Sequence, residues 1–173
     1  MFNTLKINHK APEFDLKGSQ SQILGSWKLS DWSGKWVVFF FYPADFTFIC
    51  PTEVVGFQQN LKEFEVRNTQ VVGCSTDSEY VHAAWSETLG GIDFPLLSDV
   101  HHTTSVDYNV LIDEEARALR GTFIVSPEGN LKWYQISDNN VGRSVEEVLR
   151  TIDALQAGGL CPVGWKKGEK LLG

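Results

Sequence analysis

The pattern of apolar and polar positions predicts alternating strands and helices. Residues 36–42 are an unbroken run of β-branched and aromatic side chains that ends at Pro43, which is typical of a central strand buried on both faces. Apolar residues then recur at steps of three and four, as in an amphipathic helix, at Val54, Phe57, Leu61 and Phe64. Residues 71–75 predict another strand, and Asp77 or Ser78 can cap the helix that follows it.

The second half of the chain predicts a hairpin and one more helix. Residues 126–130 (SPEGN) are a turn signal between strands expected at 121–125 and 131–136. Residues 144–147 (SVEE) have capping-box spacing and open an amphipathic helix that stops at Gly158. We therefore expect an α/β, thioredoxin-like fold with a central mixed β-sheet flanked by helices.

The chain has the length of one domain. No repeat, low-complexity run or polar linker appears before residue 156. A domain of this size buries roughly 70% of the surface that its unfolded chain exposes, so it folds without a disulfide. We expect a thioredoxin-like domain at residues 1–159 and a C-terminal arm at residues 160–173.

Charge and hydropathy argue against several classes of partner. The formal net charge is −7 and the only tight basic cluster is Lys166-Lys167, so we expect no nucleic acid and no anionic membrane. The longest apolar run is too short to span a bilayer, and residues 1–5 lack the pattern of a secretory signal. The default expectation is a cytoplasmic protein, although a removed targeting peptide would leave no trace.

The three cysteines are Cys50, Cys74 and Cys161, and their spacing matches no zinc site with paired ligands. We therefore predict no metal. In a reducing compartment each cysteine is either buried packing or chemistry. Cys74 lies in an apolar strand context, so we expect it to be a small buried hydrophobe.

Cys50 is expected just after a strand, in the first turn of a helix. The unpaired N–H groups and partial positive charge of a helix start favour a thiolate, and Pro51 suits a first-turn position. If residues 47–50 form a helical turn, the Thr47 hydroxyl lies beside the sulfur and can bond to it or to a substrate oxygen. Such a thiolate can attack a peroxide and become a sulfenic acid. Position alone leaves an inert, buried thiol equally open.

Residues 41–53 (FYPADFTFICPTE) resemble the active-site signature of peroxiredoxins, with Pro43, Thr47 and Cys50 at the positions that this family uses. Further matches occur in order along the chain, at residues 77–78, 82–85, 94–99, 120–125, 141–143, 161–162 and 165–166. The resemblance extends over residues 11–168 and is closest to the two-cysteine, alkyl hydroperoxide reductase C type.

The resemblance implies roles for several side chains. Cys50 is the peroxidatic cysteine, and Arg120 is the arginine that stabilises its thiolate and binds peroxide. Glu53 is either an exposed acid of the first helical turn or the residue that orients the active-site arginines, with Arg143 as a candidate partner. We expect His82 and Trp85 to belong to a helix that packs near the pocket, and His82 is not predicted to be a general base.

By the same resemblance Cys161 is the resolving cysteine, forming a disulfide with Cys50 of the partner chain in a head-to-tail homodimer. A ring of five dimers is also implied. The residues alone do not distinguish an interchain from an intrachain bond.

The resemblance implies an antioxidant, thiol-specific peroxidase that reduces hydrogen peroxide and organic hydroperoxides without a cofactor. Its electron donor would be thioredoxin or a flavoprotein disulfide reductase. A holdase chaperone or a peroxide sensor remains an alternative with the same redox cycle. A thioredoxin-like disulfide reductase is disfavoured, because position 53 is Glu where that class has a second cysteine.

One departure from the family concerns over-oxidation. Easily over-oxidised eukaryotic members carry a Gly-Gly-Leu-Gly loop and a C-terminal Tyr-Phe helix that pack over the peroxidatic helix. Here the loop at residues 90–93 is GGID, and no Tyr-Phe pair follows Cys161. We therefore predict that the Cys50 turn unfolds readily and that the enzyme resists conversion of Cys50 to sulfinic acid.

Overall fold

A computed structural model describes residues 4–173 and contains one mixed β-sheet of seven strands. Across the sheet the order is β2 (Ile23–Lys28), β1 (Asp15–Gln20), β5 (Leu96–Ser98), β4 (Thr69–Ser75), β3 (Trp36–Phe41), β8 (Arg120–Val125) and β9 (Leu131–Ser137). β4 runs parallel to β3 and β5, and the other pairs are antiparallel. A separate two-stranded sheet joins β6 (Leu111–Ile112) and β7 (Arg117–Ala118).

Helices cover both faces of this sheet. They are α1 (Cys50–Gln59), α2 (Leu61–Glu65), α3 (Glu79–Thr88), α4 (Thr103–Asp107), α5 (Val145–Ala157) and a 3₁₀ helix at Leu29–Trp32. Alternate residues of β3 point to opposite faces, so Phe40 packs with Phe57 and Ile152 while Phe39 packs with Tyr108. The predicted two-sided burial of this central strand is confirmed, and so is the mixed sheet flanked by helices. Within residues 4–173 we find no helix of the length and apolarity that a bilayer crossing requires.

The structure departs from the sequence pattern at Asn60. The predicted helix from residue 52 to residue 64 is two helices, because the Asn60 side-chain amide donates to the Gly56 carbonyl at 2.8 Å and competes with the helical backbone bonds. Of the two candidate caps for α3, Ser78 is the one used. Its hydroxyl accepts from the Val81 N–H, while Asp77 accepts from the Ser75 hydroxyl instead.

Residues 160–173 fold back as an ordered segment. Leu160 and Leu172 form a backbone bridge, and Trp165 is buried with only 4% of its surface exposed. The Arg150 guanidinium of α5 donates to the Trp165 carbonyl at 2.9 Å. The segment is therefore held against α5, while its separation from residues 1–159 as an arm stays a prediction.

Helix α5 begins where the capping signal predicted. The Ser144 hydroxyl accepts from the Glu147 N–H at 3.1 Å, and Gly158 ends the helix with a left-handed φ of 69°. The Glu147 carboxylate binds Arg150 rather than completing the capping box. The cap also fixes the chain next to Arg143, a side chain of the candidate site, because Ser144 is its neighbour in sequence.

We predict that Ser144→Ala lowers the free energy of unfolding by about 1 kcal/mol, since one N–H at the start of α5 loses its acceptor. Ser26→Ala, at an exposed position of the edge strand β2, serves as the control and should change it by less than about 0.5 kcal/mol. Urea denaturation followed by circular dichroism measures both. Equal losses in the two variants would contradict a capping role.

Candidate active site

Cys50 is the first residue of α1 and is completely buried. A loop of residues 42–49 separates it from β3, and its place in the first turn of a helix after a strand agrees with the sequence pattern. Pro51 occupies the second helical position, where its missing N–H costs no helical bond. The sulfur is thus placed at the N-terminal end of a helix, where the helix dipole favours negative charge.

Arg120 brings a positive charge to this sulfur from the start of β8. Its Nη1 lies 3.4 Å from Cys50 Sγ and 2.8 Å from Glu53 Oε2. Its Nε donates to the Asn139 carbonyl at 3.0 Å, and only 5% of the residue is exposed. A guanidinium fixed in this way at hydrogen-bond distance favours the thiolate form of the cysteine.

Glu53 links two arginines. Its Oε2 accepts from Arg120 at 2.8 Å and from Arg143 Nη2 at 3.1 Å, while Oε1 accepts from the Arg143 backbone N–H at 3.0 Å. Glu53 is 4% exposed, so the expectation of an exposed first-turn acid is wrong. The geometry matches the other expectation, a carboxylate that orients both guanidinium groups.

Arg143 is held by backbone groups at the ends of two neighbouring strands. It donates to the Phe41 carbonyl from Nη2, and to the Gly121 carbonyl and the Thr122 hydroxyl from Nη1. Burial lowers the pKa of Arg143, and the Glu53 carboxylate opposes that shift. The cluster contains two guanidinium groups and one carboxylate, so it has one positive charge in excess beside Cys50.

Thr47 and Pro43 lie in the loop that leads to Cys50. The Thr47 hydroxyl donates to the Ala44 carbonyl at 2.8 Å, and residues 47–49 are not a regular helical turn. Its proton is therefore directed away from the sulfur, contrary to the bond that the sequence pattern allowed. Pro43 is buried where the chain leaves β3.

His82 and Trp85 belong to α3 and are both buried. His82 has a partner at each ring nitrogen, with Asp45 Oδ2 2.7 Å from Nδ1 and the Leu97 carbonyl 2.9 Å from Nε2. Trp85 packs against Tyr42, with their ring centroids 5.7 Å apart. Trp85 belongs to the same buried cluster as Cys50, while the position of both residues beside a peroxide pocket stays a prediction. The contact of His82 with Asp45 was not foreseen, because no sequence signal connects positions 37 apart.

The remaining cysteines lie apart from this cluster. Cys74 is fully buried in β4, and burial raises the pKa of its thiol well above the ordinary value, as expected for a packing residue. Cys161 is partly exposed, with Sγ 3.6 Å from the Ala154 carbonyl of α5. All three cysteines are free thiols. Residues 4–173 also contain no group of three potential metal ligands.

Known proteins resemble this chain in both sequence and fold. Residues 7–134 match the AhpC/TSA family. The chain is 44% identical to the putative peroxiredoxin YkuU of Bacillus subtilis, over 96% of this chain and 97% of that protein. It is 43% identical to peroxiredoxin-4 of Rattus norvegicus, over 96% of this chain and 65% of that longer protein. The reduced 2-Cys peroxiredoxin of Plasmodium vivax superposes with a TM-score of 0.91 at 36% identity, over 96% of this chain and 92% of that one. The superposition confirms the predicted fold.

We predict that Glu53→Gln lowers the free energy of unfolding by about 3 kcal/mol, since removing one partner leaves two buried guanidinium groups without a carboxylate. Glu63→Gln is the matched control, because Glu63 also binds an arginine at 2.8 Å but its side chain is 57% exposed. It should cost less than about 1 kcal/mol. Chemical denaturation of the reduced proteins gives both free energies of unfolding. Similar losses in the two variants would contradict a larger contribution to stability from the buried carboxylate than from the exposed one.

Proposed function

The chain belongs to the AhpC/TSA family and is a thiol peroxidase of the peroxiredoxin type, and we propose that Cys50 is the thiol that hydroperoxides oxidise. The observation that carries this assignment is the 3.4 Å contact between Arg120 Nη1 and Cys50 Sγ at the first residue of α1. Helix start and guanidinium act on the same sulfur, and both favour the thiolate, which is the reactive form. Glu53 accepts hydrogen bonds from both Arg120 and Arg143, and so helps to hold the Arg120 guanidinium beside the sulfur.

In the proposed reaction the Cys50 thiolate attacks one oxygen of the hydroperoxide. The S–O bond forms as the O–O bond breaks, and the sulfur loses two electrons to the peroxide. The leaving oxygen takes up a proton from solvent and departs as water or an alcohol, and a Cys50 sulfenic acid remains. Arg120 stabilises the negative charge that develops on the peroxide oxygens.

Thr47 and Pro43 shape the same site. The Thr47 hydroxyl donates to the Ala44 carbonyl, so its oxygen is oriented to accept the O–H of a hydroperoxide. Pro43 is buried and has no N–H of its own, so it adds no hydrogen-bond donor to the loop. We assign both residues to substrate orientation and neither to proton transfer.

We propose that Cys161 resolves the sulfenic acid by forming a disulfide with Cys50 and releasing water. Cys50 is fully buried and Cys161 lies on the segment held against α5, so both must move. Opening of α1 is favoured by its N-cap, Ile49, which provides no side-chain hydrogen bond to the first turn.

The partners are proposed by analogy with the two-cysteine peroxiredoxin that superposes on this chain. We propose a head-to-tail homodimer with an interchain Cys50–Cys161 disulfide, five such dimers forming a ring, and reduction by thioredoxin or a flavoprotein disulfide reductase. A cytoplasmic location fits a cycle in which free thiols are restored after each turnover. Neither the contacts of residues 4–173 nor the similar proteins favour a holdase or sensor function.

We predict that Cys50→Ser abolishes peroxide consumption with a dithiol reductant, whereas Cys161→Ser still forms a sulfenic acid in a single turnover. The second variant should be trapped by dimedone but give no dimer band on a non-reducing gel after one equivalent of peroxide. Cys74→Ala is the control and should retain both the activity and the band. Full peroxide consumption by Cys50→Ser would refute the proposed function.

We predict that the wild-type protein resists over-oxidation, because the uncapped first turn of α1 lets Cys50 leave its site before a second peroxide attacks. Mass spectrometry after turnover in excess peroxide should find little Cys50 sulfinic acid. Cys161→Ser is the positive control, since its sulfenic acid persists and is exposed to further oxidation. Equal sulfinic acid in both proteins at the same low peroxide concentration would contradict rapid opening.

A further inference from the structure

Asp45 and His82 form a buried pair that the proposed reaction does not use. Both side chains are 0% exposed, and His82 Nδ1 lies 2.7 Å from Asp45 Oδ2. Asp45 belongs to the loop between β3 and α1, and His82 belongs to α3. The Tyr42 hydroxyl, at the start of the loop, donates to the other carboxylate oxygen at 2.8 Å. The pair therefore ties the loop to a helix on one face of the sheet.

The partners of the pair determine how many protons it holds. The Leu97 carbonyl can only accept, so His82 Nε2, 2.9 Å away, carries a proton. A carboxylate oxygen and an unprotonated Nδ1 would repel each other at 2.7 Å, so a further proton lies between Asp45 and His82. The pair is either carboxylate with imidazolium or carboxylic acid with imidazole. In both forms its hydrogen bonds are satisfied, as a buried polar pair requires.

Asp45 is also fixed through its backbone. Its N–H donates to Asp77 Oδ2 at 2.9 Å, and the same oxygen accepts from the Ser75 hydroxyl at 2.6 Å. Ser75 is the last residue of β4, and Asp77 lies in the turn that follows it. Residue 45 is thus attached to the start of its own loop through Tyr42, to α3 through His82 and to the turn after β4 through Asp77.

The residue after Asp45 has an unfavourable backbone conformation. Phe46 has a φ of 55°, the left-handed region that a bulky residue rarely adopts. Such a conformation costs about 1–3 kcal/mol and persists only where neighbouring contacts enforce it. Thr47 comes next, and its hydroxyl bonds back to the Ala44 carbonyl across the same bend. The attachment of Asp45 and the position of the Thr47 hydroxyl are therefore parts of one local structure.

We propose that Asp45 and His82 are positioning residues for peroxide reduction: they hold the strained Phe46 turn in place and thereby orient the Thr47 hydroxyl toward the peroxide site. The proposal rests on the proposed function, because oxidation of Cys50 is its readout. Neither side chain takes part in proton transfer. The Arg120–Glu53–Arg143 cluster that favours the thiolate is separate from the pair, so Cys50 should keep its nucleophilicity when the pair is broken.

The test compares two reactions of Cys50 in each variant. Single-turnover oxidation by hydrogen peroxide is followed by stopped-flow tryptophan fluorescence, and alkylation by iodoacetamide is followed by mass spectrometry of the Cys50 peptide. Asp45→Ala should slow oxidation at least tenfold without slowing alkylation, since iodoacetamide does not need the Thr47 hydroxyl. Asp45→Asn should keep an oxidation rate close to that of the wild type, with less slowing than Tyr42→Phe shows below. Its amide can accept from Tyr42 and donate to a neutral His82, which restores the bonds without the charge.

Two further variants keep the proposal testable. Tyr42→Phe removes one donor to the carboxylate while retaining the packed ring, and should slow oxidation by about threefold. It takes the place of Asp45→Ala in the test if that variant fails to fold. Asp99→Ala is the matched control, because Asp99 is an equally buried carboxylate whose partners are Thr104 and Ser105 of α4. It should lower the melting temperature without changing the ratio of oxidation to alkylation.

A wild-type oxidation rate in the folded Asp45→Ala and Tyr42→Phe variants would overturn the proposal, and so would parallel losses of oxidation and alkylation. Oxidation by Asp45→Asn as slow as by Asp45→Ala would show that the charge matters rather than the hydrogen-bonded position. These failures differ from failure of the proposed function, which would appear as peroxide consumption by Cys50→Ser.

Discussion

A single carboxylate between two buried guanidinium groups is the constraint on which the rest of the site depends. Glu53 neutralises only one of the two positive charges of Arg120 and Arg143. The residual charge lies 3.4 Å from Cys50 Sγ. The same balance explains why Glu53 is buried rather than exposed like most first-turn acids.

The fold brings this cluster together from distant parts of the chain. β3 and β8 are neighbours in the sheet, with Phe40 opposite Thr122, so the backbone groups that hold Arg143 come from both strands. Arg120 begins β8, and Arg143 precedes the cap of α5. Arg120 is thus placed by a strand and Arg143 by the loop that leads into α5, and the carboxylate that joins them comes from the first turn of α1.

Much of this arrangement could be predicted from the sequence. The central strand, the hairpin of β8 and β9 and the start of α5 follow from apolar runs and capping signals that are strong and local. The hairpin of β1 and β2 was missed because its glycines and mixed polar residues give no clear alternation, and β5 has only three residues. Asn60 interrupts a helix whose apolar spacing continues through it.

Some residues of the site could likewise be predicted from the sequence, and others could not. Cys50, Thr47 and Pro43 could be recognised because they belong to one continuous signature, and Arg120 because residues 120–125 match the same family further along the chain. The pairing of Asp45 with His82 depends on how α3 packs against the sheet, which no local pattern encodes.

The charge balance around Cys50 has a consequence for the order of events in the catalytic cycle. It holds while the sulfur is a thiolate, because the sulfenic acid product carries no charge. Oxidation therefore removes the attraction between Arg120 and the sulfur at the step of the proposed cycle in which Cys50 leaves its buried position to meet Cys161. In that proposed cycle a thiolate site is held closed by electrostatics and a sulfenic acid site is not, so the chemical step itself permits the conformational step that comes after it.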